Sequence, residues 1–137
     1  MFGSQHLWQQ CRKSHHPGGS ETDHSIDPLK KNAKKNKQII FVGKLNESKG
    51  YDLYCKSMFK ILDQYNDWRA ISIGEEKRFQ NFPTHKRHFD LGQIPHNKVL
   101  DYLKRSEIAV IPSRWEEPFG RTALEASSRG CATIISN

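Results

Sequence analysis

The chain has 137 residues, a formal net charge of +7 and 35% apolar residues. That length holds one hydrophobic core rather than two. No apolar run approaches the roughly 18 residues that a membrane-spanning helix needs, and Met1 to Ser20 lacks the apolar centre of a secretion signal, so the default expectation is a cytoplasmic protein.

The charge excess points to an anionic partner, and its distribution narrows the choice. Residues 1–38 carry seven Lys and Arg against three acidic residues, while the remaining 99 carry fifteen against twelve. The excess thus sits largely in a polar N-terminal segment, whereas a nucleic-acid-binding domain gathers its bases on one folded face with interleaved aromatics. A small phosphate-bearing ligand needs only a few well-placed cations. Cys11, Cys55 and Cys131 are odd in number and far apart, which argues against a disulfide framework and a Cys-x-x-Cys zinc site. Cys55 and Cys131 fall in a predicted helix and strand and read as small buried thiols.

Residues 1–37 are polar, with a Lys30-Lys31-Asn32-Ala33-Lys34-Lys35 run. Low apolar content does not offset an ordering cost of about 1–2 kcal/mol per residue, so a linker or disordered segment is expected there. Cys11, His15, His16 and His24 match no closed zinc spacing.

The domain proper is expected over 38–137. Gln38 to Val42 is an unbroken β-rich run, closed by Gly43 and followed by the loop Lys44-Leu45-Asn46-Glu47-Ser48-Lys49-Gly50. Tyr54, Met58, Ile61, Leu62 and Tyr65 then recur with helical period, with Ser48 as the expected N-cap. Ala70 to Ile73 is a second strand, ended by Gly74, and Phe89 to Leu91 a short third one. Gly92 to His96 turns the chain into a helix with Val99, Leu100 and Leu103 on one face. His85, His88 and His96 show no ligand spacing and read as surface residues.

Ile108 to Pro112 is a fourth strand with the continuous apolar pattern of one buried on both faces. Phe119-Gly120 opens a helix with apolar positions Ala123, Leu124 and Ala126, stopped by Gly130, and Ala132 to Ile135 repeats the buried-strand pattern. Strands alternating with amphipathic helices predict an α/β, Rossmann-like parallel sheet of order 3-2-1-4-5 with helices on both faces. The ligand crevice of such a sheet lies at the carboxyl ends of strands 1 and 4, where the winding reverses.

The segment Glu117-Pro-Phe-Gly-Arg-Thr-Ala-Leu-Glu125, framed by a strand with Pro112-Ser113 and by Gly130 and another strand, resembles the E-x7-E signature of retaining glycosyltransferases of family 4, which have the two-domain GT-B fold. The resemblance covers roughly residues 38–137, the donor-binding half. It implies that the chain stops before the last strand and helices of that half and lacks the acceptor half, so an incomplete, marginally stable domain is expected.

The resemblance also implies roles. Glu117 contacts the transferred sugar as the catalytic residue, and Glu125 accepts hydrogen bonds from the nucleotide ribose. Lys44 and Lys49 hold the donor diphosphate together with free backbone N–H groups at Phe119 and Gly120. Gln93 and Ile94 support the base. Fixed cations there meet the negative charge that develops on the departing diphosphate. The implied activity is retaining transfer of a hexose from a nucleotide sugar to a glycan or lipid-linked acceptor, in polysaccharide assembly. No metal or other cofactor is required, and the full enzyme is compatible with peripheral membrane association. Lys44 stands where arginine is more usual, Cys131 where proline is common, and Glu75-Glu76 follow Gly74 where a second glycine is usual. Two alternatives from other classes are a basic nucleic-acid-binding module and a non-catalytic α/β interaction domain.

Overall fold

The computed structural model describes residues 34–76, 82–116 and 120–136. The expected linker up to residue 33, with Cys11 and its neighbouring histidines, lies outside them. Five strands, β1 (Asn36–Val42), β2 (Arg69–Ile73), β3 (His88–Asp90), β4 (Ser106–Ile111) and β5 (Ala132–Ile135), form one sheet of order β3-β2-β1-β4-β5. Every pairing is parallel. Among the described residues three helices, α1 (Tyr51–Gln64), α2 (His96–Arg105) and α3 (Arg121–Ser128), connect them. The predicted strand order is the observed one.

Alternation along the central strands divides the core in two. Ile39, Phe41 and Ala70 pack beneath Tyr51, Tyr54, Cys55, Met58 and Leu62 of α1. Ile40, Ile71, Ile73 and Ala109 face Val99 and Leu103 of α2 and Ala126 of α3. The sheet is thus covered on both faces, which a parallel sheet requires. Burying each of these large apolar side chains contributes about 1.5–3 kcal/mol. Cys55 and Cys131 are both buried, as expected, and burial pushes the Cys55 thiol up to about 11.

Polar groups inside the core are paired. Gln38 donates from Nε2 to Ser106 Oγ at 2.6 Å and accepts from Arg69 Nε at 2.8 Å. The Tyr54 hydroxyl reaches the Ile39 and Ile71 carbonyls at 3.0 and 2.8 Å, tying α1 to β1 and β2. Lys35 lies in the charge run, yet its ammonium donates to the carbonyls of Lys104, Ser106 and Arg129 at 3.0, 2.8 and 2.9 Å. It therefore caps the carboxyl ends of α2 and α3 together, and β1 begins at Asn36, two residues before the expected start.

Several sequence expectations shift. β3 is displaced by one residue, because a three-residue strand with Phe89 and Asp90 exposed has almost no apolar pattern to mark it. Leu124 is 67% exposed, and in α3 only Ala126 reaches the core. That helix stops where Gly130 predicts: the Cys131 N–H bonds the Ala126 carbonyl and the Gly130 N–H that of Ser127, a Schellman ending. β5 is not the doubly buried strand its composition suggests. It lies at the sheet edge, with Ile134 and Ile135 each 57% exposed. His88 is no surface residue either: its Nε2 lies 3.0 Å from the buried Ser72 hydroxyl, which in turn meets the Tyr51 hydroxyl at 3.1 Å. His85 is mostly covered and pairs with Asp63 at 3.1 Å.

Candidate functional site

The loop from β1 to α1 is shaped by Asn46. Its Oδ1 accepts from the Ser48 hydroxyl at 2.8 Å and from the Lys49 N–H at 3.1 Å, and its carbonyl accepts from the Tyr51 N–H at 3.1 Å. Its Nδ2 donates to Glu76 Oε2 at 2.8 Å, joining the loops after β1 and β2. Ser48 is therefore not the N-cap. That position is Gly50, in the left-handed region at φ 72° and without a side-chain cap bond. A Cβ on Gly50 would stand 1.8 Å from the Pro112 carbonyl oxygen, so this glycine lets the loops after β1 and β4 touch. Within the loop Lys44 is exposed and Lys49 half-buried.

At the carboxyl ends of β1, β2 and β3 lies a cleft of about 600 Å³. Its apolar floor is Val42, Ile73, Ile94 and Val99, and Lys44, Glu75, Glu76 and Gln93 stand around it. Close packing of backbones makes the floor: the Gly43 N–H bonds the Ile73 carbonyl at 3.0 Å and the Gly74 N–H that of Gly92 at 2.9 Å. A Cβ on Gly74 would stand 1.8 Å from the Gly43 oxygen. Lys44, Gln93 and Ile94, assigned separately from sequence, thus share one cavity. Glu75 and Glu76 bring carboxylates into it, as the Gly-Glu-Glu sequence foreshadows.

A second cleft of about 380 Å³ opens at the carboxyl ends of β4 and β5. Gly120, Thr122, Ser113, Arg114 and Glu116 border it, beside the 70% exposed Trp115. Gly120 has φ 52° and is the N-cap of α3. It therefore sits in this cleft and not in the one that holds Lys44, and Lys49 lines neither. Glu117 and Phe119 lie outside the described residues.

Glu125, one turn into α3, is drawn toward the head of α2. Its Oε1 lies 3.2 Å from Nε2 of His96, with the carboxylate side chain 26% exposed and the imidazole 61%. His96 is at the surface, as expected, but it is paired. It follows Ile94 by two residues, so the carboxylate assigned to ribose is joined to the segment assigned to the base. Sequence reasoning missed the parts played by Asn46 and His96. A loop asparagine just before a glycine-led helix is a usable signal for Asn46, since such side chains organise turns. Nothing local marks His96, whose partner lies in another helix.

Many cations of the described surface are engaged with the protein itself. Besides Lys35, Lys37 pairs with Asp67, Arg87 donates to the carbonyls of Tyr65 and Trp68, and Arg114 pairs with Asp52.

A parallel sheet wound in opposite senses from β1, with its loops after β1 and β4 in contact, defines a Rossmann-like α/β domain. It matches the fold of the C-terminal domain of a group 1 family glycosyl transferase, LpcC from Francisella tularensis, with a TM-score of 0.60 at 24% identity, over 74% of this chain and 59% of that one. The family model described as "Glycosyl transferases group 1" matches residues 24–137, and the chain belongs to that family. It is 33% identical over 108 residues to an uncharacterized glycosyltransferase of Methanocaldococcus jannaschii, covering 74% of this chain and 27% of that protein. It is 26% identical over 132 residues to the 2-deoxystreptamine N-acetyl-D-glucosaminyltransferase of Niallia circulans, covering 88% of this chain and 34% of that protein. A lipopolysaccharide core biosynthesis mannosyltransferase of Rhizobium leguminosarum is 29% identical over 107 residues, covering 69% of this chain and 30% of that protein. The chain thus spans about a quarter to a third of the length of these curated relatives.

Proposed function

We propose that this chain is the donor-binding part of a retaining, family 4 type glycosyltransferase and holds the nucleoside diphosphate of a nucleotide sugar at the carboxyl edge of its sheet. The observation that carries the reading is the gathering of Lys44, Gln93 and Ile94 in one cleft, with Glu125 joined to the same segment through His96. The apolar floor and the backbone at Gln93-Ile94 suit a base ring. The diphosphate belongs nearer β4, between the Lys44–Gly50 loop and the head of α3, because Glu75 and Glu76 repel phosphate from the β2 side of the cleft. Lys44, Lys49 and the N–H groups at Phe119 and Gly120 are assigned to it, and Glu117 to the transferred sugar.

The reaction is transfer of a hexose or its N-acetylamino derivative to a glycan or lipid-linked acceptor. Support comes from the relatives' names, an N-acetyl-D-glucosaminyltransferase and a lipopolysaccharide core mannosyltransferase among them. The acceptor is held by a separate domain. Lysines and helix N–H groups meet the leaving-group charge, so the reading needs no metal. It places the enzyme in the cytoplasm, with peripheral contact to membrane where the acceptor is a lipid.

The test is titration of the 137-residue chain with UDP and GDP while its backbone amide resonances are followed. Shifts should concentrate at Gly43 to Gly50 and Gly92 to Ile94. Saturating nucleotide that moves neither group of amides would refute the assignment.

A further inference from the structure

We infer that His96 is a positioning residue for Glu125, holding its carboxylate ready for the ribose hydroxyls and thereby setting the preference for a ribonucleotide over a deoxynucleotide. The inference rests on the ribose role proposed for Glu125.

Packing brings the pair together. Val99 and Leu103 of α2, Ala126 of α3 and Cys131 share one apolar cluster, so the two helices lie side by side on one face of the sheet. Both follow strands that end at its carboxyl edge, so their amino-terminal turns lie on the same edge of the sheet. His96 is the first residue of α2, and Glu125 precedes the fully buried Ala126, which locks the rotation of α3 about its axis. The result is an ion-pair contact, with Nε2 of His96 and Oε1 of Glu125 3.2 Å apart.

The chemistry follows from that contact. The terminal torsion of a glutamate is broad, so an unsupported carboxylate must be ordered when a ligand arrives. Seating Oε1 against the imidazole restricts the carboxylate and leaves Oε2 to accept from a vicinal diol. Because that carboxylate is partly exposed and its partner more so, the pair remains open to a ligand. His96 stands only two residues from Ile94, so the same segment that supports the base also sets the carboxylate. Ribose recognition and base recognition are thereby mechanically joined.

The experiment is a ligand cycle on the 137-residue chain. Calorimetric affinities for UDP and GDP are compared with those for their 2′,3′-dideoxy counterparts, in wild type, His96→Ala, His96→Gln and Glu125→Gln. His96→Ala should weaken the ribonucleotide about 3- to 10-fold, the scale of ordering one side chain, and leave dideoxynucleotide affinity unchanged. His96→Gln, which keeps an N–H donor, should recover part of the loss. Equal weakening of both ligand types by His96→Ala would overturn the inference, since a general structural defect does not distinguish sugars. A ribose preference lost in Glu125→Gln but intact in His96→Ala would overturn it while sparing the role of Glu125. A wild type that shows no ribose preference would overturn the Glu125 assignment and this inference with it.

Discussion

Arg114 grips Asp52 with both guanidinium nitrogens, Nη1 to Oδ1 at 2.6 Å and Nη2 to Oδ2 at 2.8 Å. The same arginine donates its backbone N–H to the Ser48 carbonyl at 2.9 Å and a side-chain N–H to that of Glu47. The loop after β4 is thereby fastened to the loop after β1 and to the first turn of α1, across the point where the sheet reverses its winding. The guanidinium holds the Asp52 carboxyl below the usual carboxylate range. Stability from this pair is therefore present above the ordinary value of 3.8 and is lost only as pH falls through the lower folded one.

Because the pair is solvent-accessible, its removal should alter loop order more than global stability. In Asp52→Asn the amides of Ser48 to Tyr51 should exchange faster with solvent while the denaturation midpoint barely moves. Unchanged exchange of those amides would show that the loop is held by other means.

Gly50 tests the same junction sterically. Its left-handed backbone and the 1.8 Å approach of the Pro112 oxygen to any Cβ exclude every other residue without movement of one loop. Gly50→Ala should cost at least about 2 kcal/mol, the backbone penalty of roughly 1–2 kcal/mol being added to the clash. Urea denaturation giving a loss below about 0.5 kcal/mol would contradict the contact.

Lys35 should matter well beyond its place in a charge run. Its ammonium satisfies three carbonyls at the carboxyl ends of α2 and α3, where a cation also meets the negative helix ends. Lys35→Met, which keeps the stem and removes the charge, should destabilise by about 1–2 kcal/mol, reduced from the full charge-assisted value because the site is partly solvated. A midpoint equal to that of wild type would show that water replaces the ammonium without loss.

Much of this fold was legible because its signals are one-dimensional. The apolar runs at Ile39–Val42 and Ile108–Ile111 and the helical period from Tyr54 to Leu62 lie within single segments, and parallel crossovers then leave few sheet orders. What was missed depends on distant partners. Lys35 looked like linker because its three acceptors lie in other elements, and His88 looked like surface because Ser72 and Tyr51 draw it inward. Ser48 looked like a cap because hydroxyls favour that position, whereas its hydroxyl is taken by Asn46 two residues earlier. Of the site, Lys44, Gln93 and Ile94, assigned separately from sequence, line one cleft, and that convergence, like the separation of the Gly120 cleft from theirs, needed three dimensions.

His88 links that buried hydrogen-bond chain to pH. Burial holds its imidazole below the ordinary 6.5, with Asp90 opposing and His85 reinforcing the shift. The unfolded chain therefore binds the proton more readily than the folded one. Stability from the neutral form is complete above about pH 6.5 and declines as pH falls below it toward the folded value. Urea midpoints measured from pH 8 to 5 should drop on the acid side in wild type and drop less in His88→Gln, which preserves a polar partner for Ser72. Parallel profiles for the two would assign the acid loss to other groups.

The central claim is that the cations following β1 hold the diphosphate of a nucleotide. It is tested most directly by calorimetric titration of UDP and GDP into the wild-type chain and the Lys44→Ala/Lys49→Ala double variant, at matched low salt. Charge-assisted hydrogen bonds to phosphate contribute about 1.5–3 kcal/mol each, so the double variant should lose at least about tenfold in affinity. Between the single variants, Lys49→Ala should lose more than Lys44→Ala, since Lys49 stands at the head of α1 and Lys44 is the more exposed. Equal affinity in wild type and double variant would contradict the account.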